Sequence, residues 1–480
     1  MKQKDKLKVL IIAAEAAPYV KSGGLGDVVG SLPKELRKLD IDVRIVVPKY
    51  KTIKNENFVD AEYLGDFNVK LGWRTQKCGV LFKNGEVPVY FIENDYYFSR
   101  DSLYGYDDDN ERFAFFSKST CDMMPFVDFI PDIVHLNDWQ TGAVPLILRE
   151  AYKKITYFRD IKILYTIHNL QYQGNFSSDM LEMLDLPSYH YENGDLEFYG
   201  RFSFMKAGII YSDIISTVSE TYAKEIQTEE FGYGFDGIIR TNNYKLKGIL
   251  NGIDYDANNP KTDKRIEANF DENSIEKKKE NKTKLQETLG LEKRDVPLIA
   301  MISRLADQKG LDILADSIES VMNNDIQFVV LGTGEKQYED MCKGYEARWK
   351  GRFCACIMFD DVLAQQIYAS SDMFLMPSKF EPCGLGQIFA LRYGSIPVVR
   401  KTGGIADTIQ HFDLSSGNGN GFLFESYDGE GIIWAVNEAL RVYYDDEKRY
   451  VLIKNCMSTK LSWQESAKKY ALLYKEMLNN

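Results

Sequence analysis

Cysteine is scarce in this chain, and its spacing is irregular. Seven cysteines, an odd number without framework spacing, exclude a disulfide-stapled secreted scaffold and fit a reducing cytosol. Cys354 and Cys356 make a C-x-C with no second cysteine pair or histidine cluster nearby, so no metal site is expected. Long apolar runs are missing too: no window approaches the roughly 20 apolar residues of a membrane span. Positive charge is in deficit, with 59 Lys and Arg against 71 Asp and Glu and a formal net charge of −12. That balance argues against nucleic acid or an anionic membrane as the main partner. Local basic pockets are still compatible with it, because at physiological salt each charge is screened beyond about 8 Å. Neither an internal repeat nor a low-complexity tract is present. The lysine-rich opening MKQKDKLK before VLIIAAEAAP has the outline of a signal peptide, but the apolar run is short and Glu15 interrupts it. It reads as the first buried strand.

What is present is a strand-and-helix alternation long enough for two large domains or three small ones. The first strand, Lys8 to Ala14, runs into the glycine-rich KSGGLGDVVGSLPKELRKL, a loop opening a helix in which Pro33 is placed to make a kink. DVRIVVP, VPVYFIEN, PDIVHLNDWQTG, IKILYTIHNLQYQG, DIISTVSE and GILNGID follow, a pattern that indicates a doubly wound parallel sheet. Asp254 to Gly290 is rich in Asn, Lys and Glu and reads as a surface linker plus an exposed helix, where the first domain ends. A second sheet starts at PLIAMISRLADQKG, continues through IQFVVLGTGE and a short strand at Cys354 to Met358, and reaches SDMFLMP. The last stretch is helical, with Trp463, Tyr470, Leu473 and Tyr474 at helix-compatible spacing.

Chemistry concentrates at predicted strand ends. MPSKFEPCGLGQ sets a lone carboxylate, Glu381, on a turn between a buried strand and a helix, at the edge where open α/β sheets bind ligands. Gly384 and Gly386 free backbone N–H groups there for an anion, and KTGGIAD at 401–407 repeats the geometry. Arg304 and Lys309, on the loop after PLIAMIS, are placed to clamp a diphosphate and stabilise it as a leaving group without a metal. Lys21 lies on a loop where Gly23, Gly24 and Gly26 allow close backbone approach, and Asp27 begins the helix. A dinucleotide fold competes for that loop, but it needs an acid at the end of the second strand, and Val46, Val47, Pro48 and Lys49 stand there. Asp138 and His168 close two further strands, each readable as structural by itself. Thirty Tyr and 27 Phe permit a carbohydrate partner without requiring one.

KSGGLGD, TIHN, SRLADQKG, FEPCGLGQ and KTGGIADT, in that order, resemble the bacterial glycogen synthases and the related starch synthases, retaining glycosyltransferases that use ADP-glucose. The resemblance implies an α/β protein of two facing Rossmann-like doubly wound domains, the GT-B architecture, with the active site in the interdomain cleft. It implies residues 1–250 as the glucan acceptor side, 251–456 as the donor side, and 457–480 as a helix crossing back to the first domain. Position by position, Lys21 looks like the loop lysine on the nucleotide phosphates, with the Gly24 backbone and Asp27 beside it, and Arg304 and Lys309 look like the pair on the donor diphosphate. Glu381 looks like the carboxylate facing the transferred glucose, with Cys383 and the backbone at Gly384 and Leu385 adjacent and Thr402 and Gly403 in the companion turn. His168 matches the histidine near the anomeric centre, and Asp138 and Asn251 match polar residues of the sugar pocket. Phe359 stands where a tyrosine often stacks on adenine.

Departures from the common pattern are Ser22 for threonine, Gly26 for alanine, Gln140 for histidine after DW, and Gly386 for threonine. Phe389 stands where a sister group carries a second glutamate, which favours the glycogen synthase branch. The reaction implied is glucose transfer from ADP-glucose to glycogen or another α-1,4-glucan in a bacterial cytoplasm, with no cofactor, nucleic acid or membrane. UDP-glucose as donor, another acceptor, and a non-catalytic glucan-binding protein are the alternatives.

Overall fold

The computed structural model describes residues 6–479. The first five residues of the lysine-rich opening and Asn480, at the outer ends of the expected domain ranges, lie outside the described residues. The chain divides into two compact units, Met1–Leu250 with Trp463–Asn480, and Asn251–Ser462.

Unit 1 holds strands β1 (Lys8–Ile12), β2 (Asp42–Pro48), β3 (Glu62–Leu71), β4 (Arg74–Lys83), β5 (Val89–Glu93), β6 (Ile133–Asn137) and β7 (Lys162–Ile167). Next come the short β8 (Asn175–Phe176), β9 (Glu197–Phe198) and β10 (Arg201–Ser203), then β11 (Ile214–Thr217) and β12 (Leu246–Gly248). Nine of them form one sheet in the order β12-β11-β7-β6-β1-β2-β5-β4-β3, and β8-β10-β9 form a small second sheet. From β12 to β5 neighbours run parallel, with Val9 opposite both Val43 and Ile133. The central strands KVLII and IVHLN are buried on consecutive residues, as strands covered on both faces must be. β3 and β4 pair antiparallel at the edge, and β3 alternates exposed and covered residues instead. Helix Gly24–Lys38 follows β1 and continues unbroken on both sides of Pro33.

The helix Trp463–Asn479 belongs to unit 1 and packs on helix Gly24–Lys38. It begins at Trp463 rather than 457, after the separate helix Asp446–Ser458 of unit 2. Trp463, Tyr470, Leu473 and Tyr474 are all buried. The Tyr474 hydroxyl reaches His135 Nδ1 at 2.8 Å, His135 Nε2 lies 2.7 Å from Thr166 Oγ1, and Thr166 Oγ1 lies 2.6 Å from Ser216 Oγ. This buried polar chain ties the helix across β6, β7 and β11.

Unit 2 holds β13 (Leu298–Ile302), β14 (Gln327–Leu331), β15 (Phe353–Cys356), β16 (Met373–Met376), β17 (Ile396–Arg400) and β18 (Phe422–Phe424), all parallel, in the order β15-β14-β13-β16-β17-β18. The strand order reverses between β13 and β16, and in unit 1 between β1 and β6. Each reversal opens a crevice at the carboxyl ends of the strands, where such sheets take ligands. One expectation fails here. The helix Lys278–Leu289 in the polar stretch is not an exposed one: Lys278, Asn281, Lys282, Leu285 and Gln286 are buried. Lys278 Nζ donates to the carbonyls of Ala369 (2.9 Å), Tyr393 (2.8 Å) and Tyr368 (3.4 Å), at the ends of two other helices, and Lys282 Nζ meets Asp372 at 2.6 Å. Lysine ammoniums fully supplied with acceptors can be buried, and their methylene stems pack like apolar side chains. Among the described residues no helix is long and apolar enough to cross a membrane.

Burial holds the His135 imidazole well below its ordinary range, at about 3, with the neighbouring His168 adding to the effect. In the unfolded chain the same ring takes a proton near pH 6.5. Stability from the neutral ring is therefore complete above pH 6.5 and is lost as pH falls toward 3, by about 1.4 kcal/mol per pH unit. In urea unfolding between pH 6.5 and 5, the wild type is expected to lose stability more steeply than His135→Gln by about one proton. Parallel slopes would show that His135 is not held neutral in the fold.

Candidate active site

Glu381 follows β16 and is 7% exposed. Its carboxylate oxygen Oε2 is 2.6 Å from Lys309 Nζ and accepts the Ser378 hydroxyl at 3.2 Å. Lys309 sits in the short 3-10 turn Asp307–Lys309 after β13, so the pair bridges the two loops at the strand-order reversal. Backbone bonds fix the same approach: Lys379 N–H donates to the Gln308 carbonyl at 2.9 Å, and Gln308 Nε2 donates to the Phe380 carbonyl at 3.2 Å. Gly310 has φ +73°, and a Cβ there would overlap the Pro377 carbonyl oxygen. Arg304 is exposed on the same loop, with Nη2 3.5 Å from Gln308 Oε1.

The turn after β17 closes over this one. Gly404 N–H donates to the carbonyls of Glu381 (3.1 Å) and Pro382 (3.2 Å). Gly403, at φ +44°, lies so close to the Glu381 carbonyl oxygen that no side chain fits, and buried Thr402 is the N-cap of helix Gly403–Thr408. Gln387 staples the glutamate turn from within, its buried amide donating to the Cys383 and Gly384 carbonyls at 3.0 Å each and to Thr408 Oγ1 at 3.2 Å. Gly384 has φ +70°, and Leu385 is the N-cap of helix Gly386–Arg392. A Cβ at Gly386 would press on the Phe374 ring at 3.1 Å. Burial pushes the Cys383 thiol up to about 12, with the Asn251 backbone N–H pulling the other way, so it stays protonated at neutral pH. The Asn251 side chain is buried, and its Oδ1 has no protein hydrogen-bond partner among the described residues. Phe359 follows β15 at the carboxyl edge of the sheet and is 76% exposed.

In unit 1 the glycine-rich loop is gripped from below. Glu15, 4% exposed, accepts from Ser22 N–H (2.6 Å), Ser22 Oγ (2.7 Å), Gly23 N–H (3.3 Å) and the Tyr104 hydroxyl (2.8 Å). Part of the loop's backbone is thus already committed to the protein's own carboxylate. Gly24 is the first residue of the helix, Asp27 lies in its first turn, and Lys21 Nζ reaches Asp27 at 3.4 Å. A Cβ at Gly26 would overlap the Cβ of Lys21, so this glycine sets where the lysine stem can lie.

Asp138 and His168 come together after β6 and β7. Asp138, at φ +56°, accepts the backbone N–H groups of His168 (2.7 Å) and Asn169 (3.4 Å). Burial nonetheless raises its carboxyl to about 7, against those two bonds. His168 Nε2 lies 2.9 Å from Asn137 Oδ1, and the Asn137 amide donates to the Ile12 carbonyl at 3.1 Å. Burial lowers the imidazole to about 3, so the ring is neutral at pH 7. With Oδ1 the acceptor, the ring proton sits on Nε2 and Nδ1 offers a lone pair. Among the described residues no three His, Cys, Asp or Glu side chains converge as metal ligands.

Unit 2 therefore gathers Arg304, Lys309, Glu381, Thr402, Gly403 and the 383–385 backbone at one sheet edge, and unit 1 gathers Asp138 with His168 and Lys21 with Asp27. Glu15, Asn137 and Gln387 complete these clusters and were not singled out from the sequence. Glu15 carried a signal, an acid inside the first apolar run.

Residues 8–241 match the starch synthase catalytic domain family, and residues 282–456 match the glycosyl transferases group 1 family. The glycogen synthase of Clostridioides difficile (strain 630) is 48% identical over 478 residues, covering 98% of this chain and 100% of that one. The catalytic domain of Arabidopsis thaliana starch synthase IV, solved with ADP and acarbose, superposes with a TM-score of 0.93 at 35% identity, covering 99% of this chain and 100% of that one. A sucrose-phosphate synthase from Thermosynechococcus elongatus, at TM-score 0.63 and 15% identity, shares the fold, with 99% of this chain and 100% of that one covered.

The closeness of the three loops makes a sharp contrast between two glycines. Gly403→Ala forces a side chain against the Glu381 carbonyl at a positive φ and is expected to cost about 2 kcal/mol or more. Gly344→Ala, in the exposed interior of helix Lys336–Arg348 with nothing within 4 Å, should stabilise by about 0.5–1 kcal/mol. Urea midpoints of the two variants measure both, and equal shifts would refute the close approach.

Proposed function

The chain belongs to the starch synthase catalytic-domain family, a two-domain GT-B glycosyltransferase, and on that premise we propose that it transfers glucose from ADP-glucose to the non-reducing end of an α-1,4-glucan with retention, as a glycogen synthase. The observation that carries the proposal is the pairing of Lys309 with nearly buried Glu381 at the strand reversal of unit 2, with Arg304 exposed on the same loop.

In this reading Arg304 and Lys309 hold the donor diphosphate and stabilise the charge that develops as it leaves. A diphosphate takes up part of the Lys309 ammonium, and Glu381 then offers acceptors to the hydroxyls of the transferred glucose. Phe359 stacks on the base, and Asn251, with its unpartnered Oδ1, lines the sugar pocket beside Cys383, Gly384 and Leu385. Thr402 and Gly403 hold the glutamate turn in place. Lys21 reaches the phosphates from a loop shaped by Gly24 and Gly26, and Asp27 restrains it.

Retention by two successive inversions requires a nucleophilic carboxylate at the anomeric centre. Asp138, bound by two backbone N–H groups and raised to about 7, is poorly suited to that role. Attack from the front face, with the leaving diphosphate oxygen accepting the acceptor's proton, fits better. Neutral His168 contributes its Nδ1 lone pair to a sugar hydroxyl rather than a positive charge. A soluble nucleotide sugar and a soluble polymer as substrates support a location in a bacterial cytosol.

Labelled ADP-glucose and UDP-glucose, offered side by side with glycogen and no added metal, test the assignment. Incorporation is expected from ADP-glucose and should collapse in Glu381→Ala. Lys309→Ala and Arg304→Ala should each lower turnover by about 10–100-fold, from charge-assisted contacts of about 1.5–3 kcal/mol. Preference for UDP-glucose would move the donor and keep the fold. Near-wild-type turnover in both cation variants would remove the diphosphate clamp, and glycogen binding without nucleotide release from either donor would leave a glucan-binding protein.

A further inference from the structure

The leading residue of the KTGGIADT turn faces away from that cluster's chemistry. Lys401 Nζ pairs with Glu425 Oε1 at 2.9 Å on the segment after β18, one strand beyond the glutamate turn's companion. The two stand on a cavity of about 610 Å³ that His411, Leu423, Asp428 and Trp434 also line. Trp434 projects from helix Gly429–Tyr443 and is 48% exposed. Its indole stacks on the His411 imidazole, with centroids 5.7 Å apart and planes within 14°. His411 is itself fixed, because Nδ1 accepts the Leu423 N–H at 3.2 Å and leaves Nε2 facing outward from that bond. The result is a platform of two near-parallel aromatic rings on the cavity wall, one of them, His411, anchored by a backbone hydrogen bond.

The charges around it select against anions. Glu425, Asp428 and Glu430 line the cavity with Lys401, whose charge Glu425 already offsets. The positive end of the helix is occupied as well: Asp428 accepts the Gly431 N–H at 2.9 Å and the Ser426 hydroxyl at 3.0 Å. Phosphates and nucleic acid are repelled. A neutral polyhydroxylated ring is suited, since its C–H face can lie on the indole while its hydroxyls meet the carboxylates and the imidazole. The volume falls within the range of about 300–1,000 Å³ typical of small-ligand sites.

We propose that this pocket is a second glucan-binding site, distinct from the candidate active site, which holds a remote α-glucan segment on the His411–Trp434 platform. It rests on the reading of the acceptor as a glucan. Binding there raises the effective concentration of chain ends on the same polymer without touching the chemistry, and short acceptors that cannot reach both places gain nothing.

Trp434→Ala and His411→Ala, checked for an unchanged thermal midpoint, are compared with wild type in glycogen-containing native gels and in kinetics with glycogen and with maltotriose. The expected result is faster migration through glycogen and a KM for glycogen raised about tenfold, equivalent to about 1.4 kcal/mol. The KM for ADP-glucose and the rate on maltotriose should stay at wild-type values, and Trp434→Phe should recover most of the loss. Unchanged migration and KM in both variants would overturn the site, as would equal losses on maltotriose and glycogen. A wild type that transfers from neither nucleotide sugar but loses gel retention on Trp434→Ala would refute the transferase reading and leave the pocket standing.

Discussion

A carboxylate withdrawn from water needs a cation at contact distance, and Glu381 meets that need with Lys309 at 2.6 Å. The rest of unit 2 is built so that this contact can exist. Glu381 and Lys309 lie 72 residues apart in sequence, and only a sheet that sets β16 beside β13 brings their loops together. Gly310 and Gly403 then have to be bare, because the carbonyls of Pro377 and Glu381 occupy the space a side chain would take. Removing either partner of the pair would leave the other charge poorly solvated, a strongly destabilising change.

Unit 1 solves a related problem with neutral donors. Glu15 is slightly more buried than Glu381, yet two backbone N–H groups and two hydroxyls surround it in place of an ammonium. The glycine-rich loop consequently has one side fixed to the protein's own carboxylate. The two histidines nearby follow the same economy. His135 and His168 both stay neutral because burial disfavours the charged ring, and the polar contacts they do make are to uncharged oxygens.

Sequence patterns carried the local part of this architecture well. Apolar runs ending in glycine-rich turns located the strand ends, and Glu381, Arg304, Lys309, Asp138 and His168 were all legible as residues at such ends. Long-range partners were not legible. Asn137 orients His168 across two strands, Gln387 joins its own turn to Thr408, and Lys278 finds carbonyls about 90 and 115 residues away. A lysine-rich helix reads as solvated by composition alone. Its burial depends on acceptors that only the folded sheet supplies. Gly26 shows the reverse case, a position whose identity is visible in the sequence but whose consequence, the freedom of the Lys21 stem, is visible only in space.

Unit 1 is assembled from two stretches of chain separated by the whole of unit 2. Ribosomal synthesis is vectorial, so Leu250 emerges long before the helix Trp463–Asn479 exists to cover helix Gly24–Lys38 and the His135 hydroxyl chain. Unit 2 is one uninterrupted segment and can mature while its neighbour waits with an apolar flank uncovered. The earliest-made half of the chain is thereby the last to be finished.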